Sequence, residues 1–190
     1  MKRPFIKLTI IVFMSFIINA KDVIKLPTNE KGLVVYTEVI EAPQKNKDDL
    51  FTRAVEWLTK LYMTEKEVVK MQDKEAGKII GQGKFPVYVN RLGKRGAGFV
   101  NFTISIYTKD EKYKIELSSF FHEGEGSGTV GNGGPIENEK PACGASILSE
   151  PGTAMSKKEW LKIKNQVNDN VVLLINDLKK FMSEENKDNW

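Results

Sequence analysis

Histidine and cysteine are scarce in this 190-residue sequence, which has only His122 and Cys143. A single cysteine cannot form an intrachain disulfide. One histidine and one cysteine cannot supply the three or four soft ligands that a zinc site usually needs. The sequence therefore predicts a fold that is stabilised by burial of apolar side chains, and it predicts neither a bound metal nor a cofactor.

Two common catalytic and nucleotide-binding motifs are also missing. Six glycines fall between Gly124 and Gly134, but none is followed by a lysine and a hydroxyl residue, as a P-loop requires. The sequence contains no Gly-x-Ser-x-Gly motif. A hydrolase would need His122 as its base, with Ser118 or Ser119 nearby. We keep that hydrolase as the alternative function and assign no catalytic residue.

The N-terminus has the layout of a signal peptide. Lys2, Arg3 and Lys7 precede an apolar stretch at residues 8–18, and Ala20 offers a cleavage point. An eleven-residue helix rises only about 16 Å, roughly half the thickness of the bilayer's hydrocarbon core. We therefore predict a signal peptide at residues 1–20, a periplasmic or secreted location and no transmembrane span in the mature protein.

The apolar periodicity predicts an α+β fold. Strands are predicted at residues 32–42, 67–72, 78–89, 98–108 and 112–122, and helices at residues 47–63 and from residue 157 onward. In the fourth strand, apolar residues alternate with polar ones, as in an antiparallel strand with one buried face. The order β-α-β-β-β-β-α predicts a five-stranded antiparallel sheet with both helices on one face.

The C-terminal part divides into a loop and a helix. Glycine and proline at residues 123–153 predict a flexible loop. Ser156 and Glu159 form a capping box at the start of an amphipathic helix within residues 154–190. Its apolar stripe consists of Trp160, Ile163, Val167, Val171, Leu174, Leu178 and Phe181. Packing on the chain's own sheet is the first interpretation, and a coiled coil in a homo-oligomer is the second, because the stripe also fits three heptads.

Residues 32–122 resemble a known family. The resemblance rests on the segments GLVVYTEVIEA, DDLFTRAVEWL, GKIIGQGKF and VNFTISIYTKDEKYKIELSSF, which lead into His122. These segments resemble the exported bacterial domains of unknown function, family 4468, described as having a TATA-binding-protein-like (TBP-like) fold. The resemblance implies that fold for residues 21–122 and a location in the cell envelope. It implies no activity and no catalytic residue.

Charge is unevenly distributed along the chain. Removing the signal peptide leaves 26 basic and 25 acidic side chains, so the mature chain is nearly neutral. No acidic residue lies between Glu75 and Asp110, whereas Arg91, Lys94 and Arg95 surround one predicted hairpin tip. We predict that this tip contacts an anionic component of the envelope or an acidic envelope protein. The alternative is a hairpin tip that contacts only solvent.

The polar face of the sheet is the second predicted binding surface. Strand alternation places Tyr107, Phe120 and His122 on this face, where the two aromatic rings would serve as a platform for a ligand. In TBP the equivalent face binds DNA. Export and a nearly neutral net charge argue against a nucleic-acid partner for this chain. The sequence thus predicts a non-catalytic binding or scaffolding module of the cell envelope.

Overall fold

The computed structural model describes residues 24–61, 69–91, 93–125, 130–144 and 153–184. The predicted signal peptide lies outside these residues. The elements are β1 (Tyr36–Glu41), α1 (Lys47–Leu61), β2 (Val69–Asp73), β3 (Lys78–Asn90), β4 (Lys94–Lys109), β5 (Lys112–Glu123), β6 (Gly134–Pro135) and α2 (Lys157–Ser183). All strand pairs are antiparallel, in the order β1-β5-β4-β3-β2, and the short β6 also pairs with β5. The predicted α+β class and element order are confirmed, with β6 as an addition.

Both helices begin where their capping residues predict. The Asn46 side chain accepts a hydrogen bond from the Asp49 amide at 2.8 Å before α1. At the start of α2, the Ser156 hydroxyl accepts from the Glu159 amide, and the Glu159 carboxylate accepts from the Ser156 amide. The predicted capping box is therefore present. Neither helix in the described residues is long and apolar enough to cross a membrane.

The two helices cover one face of the sheet. On β4 the side chains of Val100, Phe102, Ile104 and Ile106 are buried on this face, as the alternation predicts. The helices also bind each other, because Trp57 Nε1 of α1 donates a hydrogen bond to the Asp177 carboxylate of α2 at 2.8 Å. Burial of aliphatic and aromatic side chains between this face and the helices forms the core.

Helix α2 packs on its own sheet, as the first interpretation predicted. The buried residues are Trp160, Ile163, Val167, Val171, Ile175, Leu178 and Met182. Leu174 and Phe181, which were predicted to complete the stripe, are only half-buried. The stripe advances with the 3.6-residue period of a straight helix and departs from the 3.5-residue heptad. Because these residues are buried against the chain's own sheet, the stripe is used within one chain, and a homo-oligomer through this helix stays a prediction.

A β-bulge in β5 corrects the predicted alternation after Ser118. Thr103 pairs with Ser118 and Asn101 pairs with Phe121, so two residues of β5 face the single residue Phe102 between those pairs. Ser119 adopts a φ of 57°, in the left-handed region. Because a single extra residue reverses the faces of all later side chains, Phe120 turns inward and Phe121 turns outward. The prediction that Phe120 and His122 lie on the polar face is wrong.

The Gly/Pro-rich segment is packed against the sheet where it is described. Val130 and Ile136 are buried, and the Ile136 amide donates a hydrogen bond to the Phe120 carbonyl at 3.1 Å. Gly133 lies so close to its neighbours that a Cβ atom there would be 2.5 Å from Trp160 Cζ3 and 2.8 Å from His122 Nδ1. Residues 130–144 therefore form part of the fold, which corrects the flexible loop predicted there.

Substitution of Gly133 by alanine tests this packing. The added methyl group would overlap with Trp160 and His122, so we expect Gly133→Ala to lower the free energy of unfolding by about 3 kcal/mol, as overpacked cores do. Gly32→Ala is the control, because Gly32 has a φ of 75° and no atom within 4 Å of its Cβ position. Its cost should be the backbone strain alone, about 1 kcal/mol. Equal losses of the two variants in urea unfolding would contradict the close packing.

Candidate functional site

The face of the sheet opposite the helices is the open face. Tyr107 of β4 lies on this face and pairs directly with Lys78 of β3 and Lys114 of β5. Lys114 pairs in turn with Val39 of β1, whose side chain is 56% exposed. These four residues form one row across four neighbouring strands, which are spaced about 4.8 Å apart. Cross-strand register thus brings together residues that are distant in sequence.

Lysine ammonium groups lie close to aromatic rings of the open face. Lys114 Nζ lies 4.2 Å from the centroid of the Tyr107 ring, and Lys78 Nζ lies 5.6 Å from it. Further along the face, Lys84 Nζ lies 5.3 Å from the Phe99 centroid. Such contacts restrict long lysine side chains, because the ammonium is attracted to the negative face of the ring.

The open face continues to the β3–β4 hairpin tip. Tyr88 and Lys94 lie on the same face there, and Lys94 Nζ is 4.2 Å from the centroid of the Tyr88 ring. Arg95 next to it is exposed. Acidic side chains lie nearby, since Glu123 accepts a hydrogen bond from Asn101 at 3.0 Å. This end of the face therefore carries both charges, with the basic residues toward the tip.

A groove of about 400 Å³ opens beside Tyr107. Its lining residues are Val39, Tyr107, Lys109, Lys112, Tyr113 and Lys114. Burial raises the pKa of Tyr113 to about 12, with Glu38 as a second cause, so this phenol stays neutral at physiological pH. On the open face the lining thus combines three lysine ammonium groups with the Tyr107 ring and one aliphatic side chain, whereas Tyr113 is 2% exposed and has its side chain in the core. We call this site the Tyr107 groove.

Arg91 has a structural role that corrects its predicted place on the binding tip. Its Nε donates to Glu159 Oε1 at 2.6 Å, its Nη2 donates to Glu159 Oε2 at 3.2 Å, and Nη2 also donates to the Ala154 carbonyl. The bond from Arg91, together with the amide of Ser156, lowers the pKa of Glu159 to about 2. Arg91 therefore joins the hairpin to the first turn of α2, and of the predicted tip residues only Lys94 and Arg95 remain exposed.

Phe120 and His122 are both in the core. Phe120 is 1% exposed and packs against Tyr36 and Phe102. His122 is 0% exposed, and its ring edge meets the Trp160 ring at a centroid distance of 5.8 Å. Of the predicted aromatic pair, only Tyr107 remains on the open face.

Both ring nitrogens of His122 bind the backbone. The Gly133 amide donates to Nδ1 at 2.9 Å, and Nε2 lies 2.7 Å from the Ala97 carbonyl. Since an N–H group donates to Nδ1, the proton of the neutral ring is on Nε2, which donates to Ala97. Burial lowers the pKa of His122. A general base needs a free nitrogen within reach of substrate, so this geometry opposes the alternative hydrolase centred on His122.

No group of three or more histidine, cysteine, aspartate or glutamate side chains in the described ranges is arranged to hold a metal ion. Cys143, the one cysteine, is half-buried, and its burial raises the pKa of the thiol. These observations add no metal or nucleophile to the Tyr107 groove.

Comparison with known proteins relates part of the chain to a described family. Residues 36–123, which span β1 to β5, match the family described as a domain of unknown function (DUF4468) with TBP-like fold. The matched residues make up just under half of the chain. A crystal structure of a TBP-like protein from Parabacteroides distasonis is 20% identical, with a TM-score of 0.63 over 83% of this chain and 97% of that one.

A DUF4468 family protein from Bacteroides ovatus is 15% identical, with a TM-score of 0.58 over 85% of this chain and 92% of the other. At these identities the similarity shows a shared fold. None of the curated proteins compared with this chain matches it. The predicted family resemblance and the TBP-like fold are confirmed, and the fold extends beyond the matched residues to α2.

The lysines at the Tyr107 groove are not among the binding residues that the sequence predicts. Lys78 and Lys109 lie within the stretch between Glu75 and Asp110 that lacks acidic residues, whereas Lys112 and Lys114 lie after it. Whether these lysines lie close together depends on which residues pair across β3, β4 and β5. The alternation of the strands places Lys114 on the polar face, but only the register places it beside Tyr107.

The pH dependence of folding tests the protonation state of His122. Its pKa is lowered in the folded protein, so the unfolded chain binds more protons below the ordinary value of about 6.5. We expect the free energy of unfolding to fall as the pH drops below 6.5, by at most about 1.4 kcal/mol per pH unit. The loss should continue until the pH passes the folded pKa.

His122→Gln is the matched variant, because an amide can accept from Gly133 and donate to Ala97 without titrating. Urea unfolding at pH 7.5 and 5.5 should show a smaller difference for this variant than for the wild type. A wild-type protein that gains stability on acidification through this range would contradict a buried neutral histidine.

The two arginines of the hairpin should respond differently to substitution. Arg91→Gln removes a two-point, charge-assisted bond to Glu159 and should lower the free energy of unfolding by about 1–2 kcal/mol near neutral pH. Arg95→Gln, at an exposed neighbouring position, should change it by less than about 0.5 kcal/mol.

The folded pKa of Glu159 lies below its ordinary value of 4.5, so its contribution is present above pH 4.5 and is lost as the pH falls through about 2. The stability difference between wild type and Arg91→Gln should therefore shrink over that range. A constant difference down to pH 2 would show that Arg91 acts through packing and not through its bond to Glu159.

Proposed function

We propose that this protein is a non-catalytic binding module of the cell envelope, exported by its N-terminal residues 1–20, and that the open face is its binding surface. The observation that carries the proposal is the Tyr107 groove, a concave site on the sheet face that neither helix covers. It joins aromatic, aliphatic and cationic side chains, the mixture that orients a ligand in a shallow site.

The contrast between the two sheet faces supports this choice. The helix face carries the core, whereas the open face exposes apolar side chains such as Val39 and Phe121, at 56% and 43%. Both ring nitrogens of His122 are bound to the backbone, so this histidine has no nitrogen free to act as a catalytic base, which favours a binding function.

The charge of the open face indicates an anionic component of the envelope as the partner. Lys109, Lys112 and Lys114 line the groove, and Lys94 extends the basic surface to the hairpin tip. Such an array attracts anionic surfaces, and salt weakens the attraction between exposed charges.

Site-specific photo-crosslinking in the bacterium that encodes the protein tests the proposed function. A benzophenone amino acid is placed at Val39, beside the groove, or at Leu173 of α2, which is 67% exposed on the helix side. Both positions are exposed and apolar, so the substitutions are matched. We expect the protein with the probe at position 39 to form discrete adducts in the envelope fraction, and the protein with the probe at position 173 to form none.

A second substitution shows whether these adducts depend on the groove. Tyr107→Ala combined with the Val39 probe should abolish them, because the ring that positions Lys78 and Lys114 is removed. Identical adducts from Val39 and Leu173, or recovery of the chain with residues 1–20 intact in the cytoplasm, would overturn the proposal.

A further inference from the structure

The charged residues that line the Tyr107 groove are all basic. None of its lining residues is acidic. Four acidic residues lie nearby. Glu41 pairs with Lys112 across the β1–β5 ladder, and the Glu116 carboxylate is 3.9 Å from Lys114 Nζ. Asp110 and Glu111 form the β4–β5 turn, and their carboxylates accept hydrogen bonds from the backbone amides of Lys47 and Gln44. Among the described residues, no carboxylate lies within 4 Å of the Lys109 or Lys112 ammonium groups. Mutual repulsion of the lysines would be relieved by a bound anion.

The chemical type of the cations narrows the class of anion. All three charged lining residues are lysines, and the groove contains no arginine. Arginine's planar fork binds the paired oxygens of a carboxylate or a phosphate, whereas lysine acts as a compact point charge. A lysine cluster therefore selects an anion by its charge and not by the geometry of its oxygens. A phosphoryl group also carries up to two negative charges, against one for a carboxylate, and so neutralises a lysine cluster with fewer groups.

The aromatic ring holds two of the cations in place. Lys78 and Lys114 lie directly opposite Tyr107 on the two neighbouring strands, and both ammonium groups approach its ring. Fixing a lysine side chain before binding reduces the conformational entropy that is lost when a ligand binds. Tyr107 therefore contributes to the site by positioning the lysines.

We propose that the Tyr107 groove binds the phosphoryl group of a phosphorylated ligand, with Lys109, Lys112 and Lys114 as its direct cationic contacts. The groove volume of about 400 Å³ accommodates a small molecule or one unit of a polymer. This inference rests on the proposed function, since it gives a chemical class to the ligand of the same open face.

Calorimetric titration of the purified chain with pyrophosphate at low ionic strength tests the inference. The triple variant Lys109→Gln, Lys112→Gln, Lys114→Gln should bind at least about tenfold more weakly than the wild type, because it loses three attractive charges. The matched control is Lys158→Gln, Lys162→Gln, Lys180→Gln, which removes three exposed lysines of α2. Its affinity should change by less than about twofold.

Two further measurements separate specific binding from general charge attraction. Tyr107→Ala keeps the net charge but frees Lys78 and Lys114, so it should weaken pyrophosphate binding about threefold. Citrate, a carboxylate of comparable charge, should bind the wild type at least about tenfold more weakly than pyrophosphate does. Unchanged melting temperatures of all variants establish that the fold is retained.

The results distinguish failure of the inference from failure of the proposed function. Equal weakening by both triple variants, citrate binding as tight as pyrophosphate binding, or no pyrophosphate binding at millimolar concentration would overturn the phosphoryl site. If crosslinks from Val39 still form in any of these cases, the open face remains the binding surface. Pyrophosphate binding without such crosslinks would retain the anion site and overturn the envelope partner.

Discussion

The alternation of side chains along antiparallel strands, combined with helices on one side only, determines the rest of this structure. Every second residue of β4 enters the core beneath α1 and α2, and the residues between them lie on the open face. The apolar face is stabilised by its removal from water. The other face is under no such constraint and carries the aromatic rings and lysines of the Tyr107 groove.

The bulge at Ser119 changes which residues each face receives. By reversing the alternation, it sends Phe120 and His122 toward the helices and leaves Phe121 43% exposed. His122 then accepts from Gly133 and donates to Ala97, so one side chain binds two segments that are far apart in sequence. A residue that sequence reasoning considers for catalysis is thereby used to join β5, β4 and the Gly-rich segment.

Local signals in the sequence predicted most of the fold, and tertiary pairing decided most of the site. Capping by Asn46 and Ser156, and the period-2 pattern of β4, involve residues within a few positions of each other. The bulge has no comparable signal, because Ser119 is neither glycine nor asparagine. Arg91 looked like a surface cation, since its partner Glu159 lies 68 residues away. The Tyr107 groove likewise depends on the register of three strands.

Basic side chains take different roles according to the groups that surround them. Arg91 meets a carboxylate in a two-point bond, which suits its planar guanidinium group and makes it part of the fold. The lysines at Tyr107 face an aromatic ring, which orients an ammonium group without neutralising its charge. A ring-bound lysine can therefore still attract an anion, whereas the charge of Arg91 is balanced by Glu159. This difference is the reason why we propose the lysine–aromatic contacts as the part of the open face that binds an anion.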